Sequence, residues 1–144
     1  MPYPELMLRP MRDELTSIGF QELRDAGEVD AFMNDKSGSA MLVVNSVCGC
    51  AAGQARPGVR LALESDNRPQ RTGTVFAGQD VEATARVRGY FDDIPPSSPS
   101  IALFKEGELV YFVPRHRIEN RNAQEVAEDL KAAFERYFAV QAPA

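Results

Sequence analysis

Cys48 and Cys50 are the only cysteines among the 144 residues, and a single glycine, Gly49, separates them. A thiolate is the species that attacks disulfides, and two neighbouring thiols can pass two electrons on by closing into a disulfide of their own. A ring closed over one intervening residue is small, so that disulfide is expected to be strained and relatively oxidising, which suits a shuttle or an isomerase better than a strong reductant. The same spacing can grip a soft ion such as Cu(I) or Zn(II). A closed zinc site takes four ligands and His116 is the only histidine, so one chain supplies two sulfurs and at most one imidazole.

The flanking residues tell the two thiols apart. Met41 to Asn45 is a continuous apolar run ending in asparagine, and it reads as a buried strand. Gly49 to Glu64 is rich in alanine and leucine and reads as a helix, with a kink or break expected at Pro57-Gly58. Cys48 then stands just before a helix N-terminus, where unpaired amides and the helix dipole favour the thiolate. Cys50 falls in the first turn and is expected to be the more buried. Gly49 gives the loop freedom and leaves room for a substrate. Asn45 and Ser46 are expected to orient the loop through side-chain hydrogen bonds to backbone.

The remaining pattern supplies a frame. Pro10 to Ile18 reads as a helix, Phe20 to Leu23 as a short strand, and Val29, Phe32 and Met33 as the face of a second helix ending by Gly38. Thr72 to Ala77 is a strand and Asp80 to Tyr90 a helix. A rigid loop, Pro95 to Ser100, leads to a hairpin of Ile101 to Lys105 and Glu108 to Val113 around Glu106-Gly107. Asn122 and Glu125 form a capping box for a last helix with Val126, Leu130, Ala133, Phe134 and Tyr137 along one stripe. The order predicts an α/β fold, a mixed central sheet between two helical layers. Without the first helix it is the thioredoxin arrangement, so the expected fold is thioredoxin-like with an extra N-terminal helix, in one domain spanning 1–144. In such folds a cis-proline precedes the strand beside the active site and lets the preceding residue pair with substrate backbone. Ser98-Pro99 occupies that place.

Composition narrows the function classes. Hydrophobic residues make up 44% of the chain and the net charge is −5, which argues against a nucleic-acid surface. No apolar run approaches the roughly 20 residues of a membrane span, and the first residues lack the pattern of a signal peptide. The expected compartment is therefore the cytoplasm, where close cysteine pairs are more often catalytic or metal-binding than structural. Nothing in the sequence marks an oligomeric state.

Three blocks carry a family resemblance: Val47-Cys48-Gly49-Cys50-Ala51-Ala52-Gly53 with Ala55-Arg56-Pro57, then Pro95-Pro96-Ser97-Ser98-Pro99-Ser100-Ile101-Ala102-Leu103-Phe104, and Arg115-His116-Arg117-Ile118-Glu119. Over nearly its full length the chain resembles the bacilliredoxins. The resemblance implies a thiol–disulfide oxidoreductase that removes bacillithiol, a low-molecular-weight thiol, from mixed disulfides on client proteins, with some isomerase capacity. It implies no bound cofactor; bacillithiol is the thiol co-substrate. In this scheme Cys48 is the nucleophile, Cys50 or a second bacillithiol resolves the adduct, and Gly49, Ser98 and Pro99 face the substrate. The competing classes are a Cu(I)- or zinc-thiolate binding module and a non-catalytic interaction protein on the same scaffold.

Other conspicuous residues are expected to be ordinary. Arg56 reads as a solvated helix arginine, the alternative being to steer an acidic thiol such as bacillithiol. His116 reads as an exposed loop residue, and Asp92-Asp93 as a solvated loop pair without a partner histidine.

Overall fold

The computed structural model describes residues 3–139. Its first helix, α1, runs from Glu5 to Thr16, with Pro10 inside it. The helix therefore starts five residues before the expected Pro10. Leu8, Arg12 and Leu15, at i, i+4 and i+7, are its buried positions, and this packed face extends the helix upstream. Pro10 is tolerated because it lies on the exposed side. Strand β1 is reduced to Gln21–Glu22, and α2 spans Ala26–Asn34 with Asp25 capping the Glu28 amide.

Strand β2, Ser39–Asn45, is buried along its whole length. It is followed by a wide π-type turn at Ala51–Ala55 and by helix α3 at Arg56–Ala62. The expected break at Pro57-Gly58 is absent. Pro57 instead sits in the first turn of α3, and the irregularity moves upstream into the wide turn, where the Arg56 amide reaches back to the Ala51 carbonyl. Gly58 then lets α3 lie close to the last helix: a Cβ there would meet Val126 Cγ1 at 2.7 Å and the Ala123 carbonyl at 3.1 Å.

The rest follows the predicted order: β3 at Arg71–Phe76, α4 at Val81–Gly89, β4 at Ser100–Lys105, β5 at Glu108–Val113, a short 3-10 turn at Arg115–Arg117 and α5 at Ala123–Phe138. Glu106 and Gly107 both have positive φ (52° and 82°), the two-residue hairpin geometry that glycine favours. The capping box of α5 is present, with Asn122 accepting from the Glu125 amide and Glu125 from the Asn122 amide.

The sheet order is β1-β3-β2-β4-β5. β3 is parallel to β1 and β2, β4 is antiparallel to β2, and β5 is antiparallel to β4. Side chains alternate across β2, so each of its faces enters a different core. Met41 and Val43 pack with Leu15, Val59, Leu130 and Phe134 on the α3/α5 side; Leu42 and Val44 pack with Val29, Phe32, Ala83 and Val87 on the α2/α4 side. This is the predicted mixed sheet between two helical layers. Among the described residues no helix is long and apolar enough to cross a membrane.

Candidate active site

The register of the sheet decides what stands together at its C-terminal end. Val44 of β2 pairs with Ser100 of β4. The chain therefore leaves β2 towards Cys48 beside the point where the loop ending in Pro99 enters β4. The Ser98–Pro99 peptide bond is cis, Pro99 is buried and Ser98 is half-buried. Arg115 fixes this loop from the 3-10 turn: its amide donates to Ser97 Oγ at 3.3 Å and its guanidinium to the Ser98 carbonyl at 3.4 Å. Arg88 of α4 donates to the Ser97 carbonyl at 3.4 Å.

Cys48 and Cys50 are both reduced and both half-buried, and their sulfurs lie 2.8 Å apart. The expected difference in burial between them is small; the difference lies in hydrogen bonding. The Cys48 carbonyl accepts from the Ala51 and Ala52 amides at 3.1 and 3.3 Å, so Cys48 occupies the capping position of the helix start. Partial burial pushes the Cys48 thiol up, but hydrogen bonds from Cys50, from Ser46 and from the Ala51 and Cys50 amides more than offset it, leaving its pKa below the ordinary value. Cys50 goes the other way. Burial, the hydrogen bond with Cys48 and the charge of Cys48 raise it, opposed by the Arg115 cation. Arg115 itself is held up first by Glu119, at 3.0 Å, and then by the two cysteines. The geometry therefore favours ionisation of Cys48 over that of Cys50.

Gly49 has no left-handed φ, and a Cβ on it would meet nothing within 4 Å. Its backbone does not need glycine, and the space beside its Cα is open.

Ser46 and Asn45 do more than orient backbone. The Ser46 hydroxyl lies 3.3 Å from Cys48 Sγ and accepts from the Cys48 amide at 3.4 Å, while Asn45 Oδ1 accepts from the Ser46 amide at 2.9 Å. Arg56 is the clear correction. It is 3% exposed rather than solvated, and its guanidinium donates to Glu14, Asn45 and the Ser46 carbonyl. The sequence signal that could have found it is weak, because its partners lie ten, eleven and forty-two residues away. Arg115 was visible only as part of a conspicuous Arg-His-Arg block. His116 and Asp92-Asp93 are exposed, as expected. Among the described residues no cluster of three or more His, Cys, Asp and Glu side chains adds a third ligand to the two thiols.

Comparison with known proteins places this geometry. The sequence model of a family described as disulphide isomerase matches residues 3–138. A bacilliredoxin of Koribacter versatilis is 54% identical over 135 residues, covering 94% of this chain and 93% of the relative. A bacilliredoxin of Salinibacter ruber is 54% identical over 145 residues, covering 99% and 85%, and one of Geobacillus kaustophilus is 52% identical over 136 residues, covering 94% of each. Among solved structures, Fasciola hepatica thioredoxin superposes with a TM-score of 0.58 at 18% identity, covering 82% of this chain and 99% of that one. Reduced Schistosoma mansoni thioredoxin gives 0.53 at 21% identity, covering 78% and 95%. The fold is thus thioredoxin-like, and with half its residues shared over nearly the whole length of several relatives, the chain belongs to the bacilliredoxin family.

Proposed function

We propose that the protein is a cytoplasmic thiol–disulfide oxidoreductase that removes bacillithiol from mixed disulfides on client proteins, with disulfide isomerase capacity as a secondary activity. The observation that carries this reading is the pair of sulfurs 2.8 Å apart with opposed pKa shifts, next to the cis Ser98–Pro99 loop. The family membership supplies the thiol.

The Cys48 thiolate attacks the bacillithiol sulfur of the mixed disulfide. A Cys48–bacillithiol disulfide forms, the old S–S bond breaks and the client leaves as a thiolate. Cys48 now carries no charge, so the repulsion that held Cys50 protonated is gone. Cys50 gives its proton to the departing thiolate and attacks Cys48 Sγ. The Cys48–Cys50 disulfide closes and bacillithiol leaves with its electron pair, so that two electrons have passed from the dithiol to the client and its adduct. Gly49 leaves the approach open, while the Ser98–Pro99 segment forms the wall against which client backbone lies. The site uses no bound cofactor; bacillithiol enters as co-substrate.

The test is a client carrying bacillithiol, mixed with the reduced protein and followed by intact-mass spectrometry. Wild type is expected to release the client and gain no adduct. Cys50→Ser is expected to retain bacillithiol on Cys48, and Cys48→Ser to release nothing. Full activity in Cys48→Ser would overturn the assignment. Resolution by a second bacillithiol would appear as turnover in Cys50→Ser when free thiol is added.

A further inference from the structure

We propose that the Ser46 hydroxyl is a hydrogen-bond donor to the reacting Cys48 sulfur and that Arg56 is the positioning residue that aims it there. The proposal rests on the reading above only in taking Cys48 as the attacking thiol.

The observations form one connected chain. Ser46 is the first residue after β2, and both of its peptide groups are pinned. Its amide donates to Asn45 Oδ1 at 2.9 Å and its carbonyl accepts from Arg56 Nη1 at 3.0 Å. The same Nη1 donates to Asn45 Oδ1 at 2.9 Å, and Asn45 Nδ2 donates to the Met11 carbonyl of α1 at 3.2 Å. Asn45 and Ser46 are 1% and 6% exposed. With its backbone held on both sides, Ser46 presents its hydroxyl to Cys48 Sγ at 3.3 Å. Arg56 is in turn anchored by Glu14 of α1, which accepts from Nε at 2.7 Å.

Burying a guanidinium is costly, and a protein retains one where its donors are needed at fixed places. Here those donors meet the strand end and the serine two residues before the thiol. Glu14 balances the charge, so Arg56 acts on Cys48 through placement. A hydroxyl aimed at sulfur strengthens as charge gathers there and favours the thiolate over the thiol. The extra N-terminal helix thereby becomes part of the site, through Met11 and Glu14.

The experiment is a titration of the Cys48 thiolate by ultraviolet absorbance and by iodoacetamide alkylation rate, in a Cys50→Ser background where one thiol remains. Ser46→Ala is expected to raise the Cys48 pKa by about one unit, slowing alkylation at neutral pH several-fold while leaving the high-pH rate intact. Ser46→Thr, which keeps the hydroxyl, is expected to restore most of it. Arg56→Met is expected to raise the pKa similarly, and the double variant to be no worse than Arg56→Met alone, because both act through one contact. An unchanged pKa in Ser46→Ala, or fully additive shifts in the double variant, overturns the proposal. If Arg56→Met does not fold, Arg56→Lys and Glu14→Ala carry the same arm, and an unchanged pKa in both overturns Arg56 as the positioning residue. The readout is independent of bacillithiol: failure of client release with these pKa shifts intact would sink the functional reading and leave this assignment standing.

Discussion

At the scale of single residues, the two sulfurs are unequal sites for ionisation. Cys48, at the helix start, is stabilised as a thiolate, and that charge discourages ionisation of Cys50. Brief alkylation across a pH series, followed by peptide mass mapping, is therefore expected to label Cys48 first. Cys50 should follow only above the ordinary thiol range; equal labelling at every pH would contradict the inequality. Gly49 offers a second test. The space over it is open and its φ lies outside the left-handed region, so Gly49→Ala should change stability by no more than about 0.5 kcal/mol. It should nevertheless slow reaction with bulky protein disulfides a few-fold while sparing small alkylating reagents. A large loss of stability in thermal unfolding would show that glycine serves the backbone after all.

At the scale of elements, α1 is attached by a buried cation. Arg12 donates to Glu5, Glu22 and Asp80 at 2.6 to 2.8 Å and lies over the Phe76 ring, joining the helix to β1 and to the end of β3. Arg12→Met would leave Glu5, Glu22 and Asp80, the last only 9% exposed, without their shared buried cation and with only the half-exposed Arg24 beside Glu5 and Asp80, and is expected to cost about 3 kcal/mol in denaturant unfolding. The pH dependence has a definite sign. Partial burial raises Glu5, but the Arg12 hydrogen bond and charge, with Arg24, more than offset this and leave it below its ordinary 4.5. A carboxylate depressed on folding contributes stability that is present above its unfolded pKa and is lost as pH falls through the folded one. Wild type should thus lose stability on acidification below about pH 4.5, and Arg12→Met should lose less over the same window. Parallel pH profiles would rule out this linkage.

At the scale of the whole molecule, what was legible in the sequence is what depends on neighbours in the chain. The apolar run of β2, the capping box at Asn122 and Glu125 and the placing of Cys48 before a helix all rest on contacts within a few residues. The cis bond at Ser98–Pro99 was legible only because the order of elements had already suggested a fold in which that position matters. What stayed hidden was charge turned inward. Arg12 and Arg56 have no local signature of burial, since their carboxylate and carbonyl partners are assembled by the sheet and by α1 docking. Pro10 and Pro57 misled for a related reason: a proline marks where an amide is dispensable, and the packing decides whether that is the first turn or an outer face.

The wide turn at Ala51–Ala55 has a geometric consequence of its own. Each residue advances a regular helix by about 100°. The extra residue accommodated there acts as a phase shifter between the cysteines and everything downstream. It lets one continuous rod begin with its first amides on the Cys48 carbonyl, then rotate so that Arg56 looks back at the strand end while Gly58 and Val59 meet α5 and the core. Removing a single residue from this stretch would give a more regular helix and a mistimed one, with the guanidinium swung off its three acceptors and the dithiol left on an unbraced loop.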